Sequence, residues 1–164
     1  MVPALPVVVG LGAPERGDDA VGLAVARAVA DAVTSRGLAV DVEERFDPTA
    51  LIELWTGRPF AVACDAVRSG VTPGTVHVLR TGAALPPLVP GHVQETGSHA
   101  CGLASAVELA RALGRLPQTV VVVGVEAASF DWGAPLSPAV ADAVPEAAAR
   151  TLEVIMQLLT TPGA

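Results

Sequence analysis

Hydrophobic positions along this chain fall into two rhythms, short unbroken runs and helical spacings, which take turns from one end to the other. The run from Leu5 to Val9, closed by Gly10, predicts a buried strand. From Asp19 to Arg36, Val21, Ala24, Val25, Ala28, Ala32 and Val33 share one helical face, and Gly37 stops that helix. Leu38 to Arg45 alternates Leu38, Val40 and Val42 with polar positions, which predicts a second strand near a sheet edge. Asp47 and Pro48, as cap and first-turn proline, open a short helix to about Trp55. Phe60 to Cys64 is a third strand ending in Asp65, and Gly74 to Arg80 is a fourth after a Thr-Pro-Gly turn. A loop rich in Pro and Gly covers Thr81 to Gly97, a length that in a compact domain points to function or mobility. A helix from about Cys101 to Leu113 carries Leu103, Ala106, Val107, Ala110 and Leu113 on one face. Thr119 to Val125, nearly continuous in valine, predicts a central strand. Ser137 and Pro138 start the last helix, which runs to about Leu159, with Pro145 expected to kink or divide it.

Strands alternating with helices specify an α/β domain, with a mostly parallel five-stranded sheet and helices on both faces. The fourth strand follows the third with no helix between them, so it is expected to run antiparallel at an edge. At 164 residues the chain fits one domain, 1–164, with a single substantial core.

Composition narrows the function classes. The chain is 51% hydrophobic, but its apolar runs are far shorter than the roughly 20 residues of a membrane span. The excess lies in alanine and valine, as buried parallel strands and close helix contacts require. No basic segment precedes an apolar stretch at the N-terminus, so no secretory signal and no membrane partner are expected. Net charge is −7, and all ten basic residues are arginines scattered singly, which leaves no basic stripe for nucleic acid. Two cysteines, Cys64 and Cys101, make no disulfide framework, and a reducing cytoplasm is the expected location.

Chemistry concentrates where the strands end. The glycine-rich loop Gly10 to Gly17 leads into the adjacent acids Asp18 and Asp19, the third strand ends at Asp65, and His99 lies just before the helix that feeds the fifth strand. In an open α/β sheet these loops gather at one rim. Two carboxylates and an imidazole suit a borderline divalent ion, with coordination positions left for substrate or water. Each residue alone has an ordinary reading. Asp18 or Asp19 more often caps a helix, Asp65 can form a turn, and a single histidine near a helix start is commonly a satisfied surface group. Their convergence on one edge favours a shared role.

Other side chains carry less. His92 lies in the long loop and His77 in a strand, with no argued partner for either. Glu95 solvates the loop or supports His99, and Glu126 supports the loop after the fifth strand. Cys64 should face away from Asp65 into the core, Cys101 fits a buried first helical turn, and Trp55 and Trp132 read as packing residues. A nucleotide-binding module is a rival because Gly10-x-Gly12 follows a strand, but Glu15 stands where a third glycine would approach phosphate. A non-catalytic metal-binding assembly factor would use the same rim. A serine hydrolase lacks its Gly-x-Ser-x-Gly elbow, whereas a cysteine hydrolase built on Cys101 and His99 stays open.

The ordered motifs resemble those of the hydrogenase maturation endopeptidases, which trim nickel–iron hydrogenase large subunits. That family opens with a strand, Gly-x-Gly-Asn and a pair of acids before a later glycine, seen here from Val7 through Gly10, Gly12, Asp18 and Asp19 to Gly22. A strand ending in Asp-Ala appears as Ala61 to Ala66, and a Ser-His-x-x-Gly-Leu block as Ser98 to Leu103. Leu113-Gly114, the Val120 to Glu126 strand and Leu136-Ser137-Pro138 extend the similarity over nearly the whole chain. The chain departs at the family's asparagine, which is Ala13 here and is followed by Pro14.

The resemblance implies a single three-layer α/β/α domain and a metal-dependent endopeptidase of aspartic or metallo type. It assigns Asp19, Asp65 and His99 as both catalytic residues and metal ligands. The implied substrate is a hydrogenase large-subunit precursor whose nickel is already in place, although other divalent ions fit the same ligands. The enzyme, expected to be a monomer, would dock on that nickel and remove a C-terminal extension. An attacking water, held by metal or activated by a carboxylate, is compatible with these residues.

Overall fold

The computed structural model describes residues 3–85 and 102–161. Five strands, β1 (Val7–Leu11), β2 (Asp41–Arg45), β3 (Phe60–Val67), β4 (Val76–Thr81) and β5 (Thr119–Glu126), form one sheet in the order β2-β1-β3-β5-β4. All pairs are parallel except β4 with β5, which is antiparallel at the edge, as the missing crossover helix predicts. β2 forms the opposite edge and β5 is interior, also as expected.

Among the described residues four helices cover the two faces: α1 (Val21–Arg36), α2 (Leu51–Trp55), α3 (Leu103–Ala112) and α4 (Pro138–Thr160). Side-chain alternation along each strand divides the core between them. Val8, Val62, Cys64, Val121 and Val123 face α1 and α4, while Val7, Val9, Ala61, Ala63 and Val122 face α2 and α3. The valine runs are therefore needed in full, because both faces of the central strands are dry. The result is a three-layer α/β/α sandwich. No described helix is long and apolar enough to cross a membrane.

Several elements depart from expectation for physical reasons. β3 continues past Asp65 to Val67, because Ala66 and Val67 pair with Val125 and Glu126 of β5. A 3-10 turn, Gly17–Ala20, precedes α1. The buried face of α1 also takes in Leu23, Ala26 and Val29 but leaves Ala24 and Ala32 only partly covered, since this helix packs on the sheet and on α4 together. Leu113 is 54% exposed in the turn after α3 instead of completing its apolar face. Pro145 does not divide α4, which runs unbroken from Pro138 to Thr160. Both Pro145 and Ala141, whose carbonyl loses its helical donor, lie on the exposed side, where water can replace the missing bond.

Candidate active site

The chain leaves β1 in two directions across the sheet. β2 lies on one side of β1 and β3 on the other, with α1 covering one face and α2 the opposite face. This reversal opens a crevice beyond the carboxyl ends of β1 and β3, the usual place for a ligand in an open α/β sheet. Asp19 follows β1 and Asp65 lies near the end of β3, so both acids border that crevice.

Glycines set how closely the crevice walls approach. A Cβ on Gly22 would lie 2.3 Å from the carbonyl oxygens of both Leu11 and Cys64, so the start of α1 rests directly on β1 and β3. Gly12, at φ +145°, would bring a Cβ to 1.8 Å from the Asp19 carbonyl. Neither position has room for a side chain. The β1–α1 loop is consequently folded tightly back, and the Ala13 N–H donates to Asp19 Oδ2 at 3.0 Å. A main-chain donor makes this bond, so the departure from asparagine at Ala13 does not remove it.

Asp19 and Asp65 are both half-buried. The Asp65 Oδ1 accepts the N–H of Ala66 at 2.9 Å. Burial, followed by the charge of Asp19, pushes the Asp65 carboxyl up to about 8 despite that hydrogen bond. The two acids thus sense each other across the crevice. His99, the third expected ligand, lies outside the described residues, as do His92, Glu95 and Cys101. Among the described residues no group of three His, Cys, Asp or Glu side chains is arranged to hold a metal.

Asp18 has a different task from its neighbour. It is 1% exposed, and Oδ2 accepts the N–H groups of Ala128 (2.8 Å) and Ser129 (3.0 Å) and the Ser137 hydroxyl (2.9 Å), while Oδ1 accepts the Ser137 N–H (2.7 Å). Burial raises this carboxyl, but the hydrogen bonds outweigh burial and hold it below its ordinary value. Neither acid caps a helix. Asp18 pins the β5–α4 loop to the β1–α1 loop, and Ser137, at the cap position of α4, uses its hydroxyl on Asp18 instead of on its own helix.

Glu126 supports the loop after β3, not the loop after β5. Its carboxylate accepts the N–H groups of Ser69 (2.8 Å) and Gly70 (2.9 Å) and the Ser69 hydroxyl (2.9 Å), and it lies 3.3 Å from His77 Nε2. Burial again opposes these bonds and is outweighed, leaving Glu126 below its usual range. Cys64 packs toward α4 as expected, with Sγ 3.6 Å from Thr151 Oγ1 and its thiol pushed up to about 12 by burial. Cys64 is thus a packing residue, buried and away from the rim. Trp55 is buried, but Trp132 is 70% exposed and does not pack in the core. Its loop, Phe130 to Pro135, is rich in Gly, Pro and Asp, and that composition was the available sign that an aromatic there has nowhere to be buried.

The sequence pattern of the hydrogenase maturation protease family, HycI, matches residues 48–154. The chain belongs to that family. It is accordingly a peptide-bond hydrolase, an endopeptidase that processes a hydrogenase large-subunit precursor. Among solved structures it is similar to the hydrogenase maturating endopeptidase HybD of E. coli, with 21% identity, 94% of this chain and 93% of that chain covered, and a TM-score of 0.74. It is also similar to a hydrogenase 2 maturation peptidase from Thaumarchaeota archaeon SCGC_AB-539-E09, with 25% identity, coverage of 93% and 98%, and a TM-score of 0.63. A third similar structure is the nickel–iron hydrogenase maturation protease HycI of Thermococcus kodakarensis, with 20% identity, coverage of 95% and 92%, and a TM-score of 0.61. Sequence comparison with curated proteins finds no match.

Proposed function

We propose that Asp19, Asp65 and His99 together engage the nickel of a loaded large-subunit precursor and cleave the C-terminal extension beside it. The observation that carries this reading is the placement of two acids at neighbouring parallel strands, Asp19 after β1 and Asp65 near the end of β3, where Asp65 feels both burial and the Asp19 charge. Two acids held near each other at a half-buried rim repel unless a cation or a proton intervenes. A divalent ion, arriving as part of the substrate, favours both ionised forms, and an imidazole completes a donor set suited to nickel or zinc. A precursor without metal brings no charge to offset the carboxylates, so the site acts as a checkpoint on metal insertion.

In this metal-dependent endopeptidase a water attacks the scissile carbonyl carbon. One carboxylate takes the water's proton and passes it to the departing amine as the C–N bond breaks. We place the reaction in the cytoplasm on a monomeric enzyme, and the free, buried Cys64 thiol fits a reducing compartment.

Asp19→Asn, Asp65→Asn and His99→Ala are each expected to abolish processing of nickel-loaded precursor while far-UV spectra stay native and the variants remain folded. Normal trimming by all three variants would remove the mechanism. Cleavage of nickel-free precursor at the loaded rate would remove the checkpoint.

A further inference from the structure

Beyond the two acids, the same rim carries a group of side chains that the cleavage chemistry does not use. The Arg16 guanidinium lies 5.8 Å from the ring centres of both Phe130 and Trp132, and that of Arg68 lies 4.8 Å from Phe130. Two like charges therefore meet on one aromatic ring. Arg27, Arg45, Arg58, Arg111 and Arg150 each pair with a carboxylate. Among the described residues Arg16 and Arg68 pair with none, as is also true of Arg36, Arg80 and Arg115, but these two alone meet on an aromatic ring there. Arg68 Nη2 donates to the Ala128 carbonyl at 3.2 Å, and Arg16 Nε is buried without a hydrogen-bond acceptor among the described residues. Glu15 and Asp131 stand next to this group in the chain, yet neither forms an ion pair with it.

The group is held rigidly. Asp18 anchors its loop through four hydrogen bonds, the Gly133 N–H donates to the Glu15 carbonyl at 2.7 Å, and a Cβ on Gly17 would lie 2.9 Å from the Ser129 carbonyl. An exposed tryptophan stacked with arginine and fixed in place loses little freedom on binding, and such residues dominate the energetics of protein contacts. Unpaired guanidinium groups also favour carboxylate partners, which they can grip through two hydrogen bonds.

We propose that Arg16, Arg68, Phe130 and Trp132 form the docking surface for an acidic segment of the hydrogenase large-subunit precursor. This rests on the reading of Asp19 and Asp65 as the cleavage site. Arg16 lies three residues before Asp19 and Arg68 three residues after Asp65, so the two arginines sit on the same chain segments as the two acids, the β1–α1 loop and the end of β3. The protein being cut must lie across this rim, whereas a second copy of the chain seated there would obstruct it.

The test follows processing of purified, nickel-loaded precursor over a range of concentrations. Trp132→Ala and Arg68→Glu should each raise KM about tenfold, and the effect of Arg68→Glu should shrink as salt rises. Arg68→Lys, which keeps the charge but not the fork, should lie between Arg68→Glu and the parent chain. Unchanged KM in both Trp132→Ala and Arg68→Glu, or a loss confined to kcat, would overturn the proposal. Should the parent chain leave the loaded precursor uncut, the cleavage reading fails, and calorimetric titration of intact precursor still decides docking. Weaker binding by Trp132→Ala supports docking and equal binding refutes it. Concentration-dependent self-association abolished by Arg68→Glu, with precursor binding unaltered, would assign the surface to a second copy instead.

Discussion

Replacing Asp18 by asparagine tests whether the acid next to Asp19, the proposed metal-engaging residue, is structural. Its carboxylate is buried and surrounded only by donors, three on Oδ2 and one on Oδ1. An asparagine of the same shape keeps one oxygen. Placed to retain the three donors, it turns its NH2 toward the Ser137 N–H, so a donor faces a donor. The orphaned N–H costs about 1–3 kcal/mol, and the three surviving bonds lose their charge assistance. A total near 3 kcal/mol corresponds to a fall in Tm of about 6–12 °C for a domain of this size. The effect has a pH signature, because the folded carboxyl sits below its ordinary value. Its stabilisation is present above the unfolded carboxylate pKa of about 3.9 and is lost as pH falls through the folded value. Asparagine does not titrate there, so calorimetric melts of the two proteins should converge on acidification. A Tm difference under about 2 °C at neutral pH, or one that persists undiminished in acid, would refute the reasoning.

Asp65 should behave in the opposite sense. Its folded pKa of about 8 lies above the unfolded value, so its contribution is complete at low pH and is lost as pH rises through the folded value. Asp65→Asn should therefore melt progressively higher than the parent chain between about pH 4 and pH 8, and a constant difference across that window would contradict the raised pKa. Gly22→Ala would drive a methyl into two carbonyl oxygens at 2.3 Å and should destabilise by about 3 kcal/mol, read by urea unfolding. A loss below about 1 kcal/mol would show that α1 can move off β1 and β3.

Topology was legible because apolar runs and helical spacings alternate along most of the chain, and the helix missing between β3 and β4 announced the antiparallel edge. The end of β3 was not legible. Ala66 and Val67 are ordered by pairing with β5, a contact remote in sequence. For the same reason Glu126 could be recognised as a support but not assigned to its loop, since Ser69 and Gly70 reach it only through the β3–β5 register. Asp18 and Asp19 are identical in type and adjacent. The 3-10 turn alone sends one into the β5–α4 loop and leaves the other at the crevice. Motif order singled out Asp19 and Asp65, but nothing in periodicity reveals that Arg16 and Arg68 meet on Phe130.

The crossing of the chain between β1 and β3 has one further result. The cleft is a by-product of connectivity and does not depend on which groups line it. Asp19 and Asp65 each bond only to a nearby main-chain N–H and not across to a neighbouring strand, and their mutual repulsion works against folding. A variant stripped of both acids is therefore expected to keep the same outline, so shape and chemistry are set by separate positions.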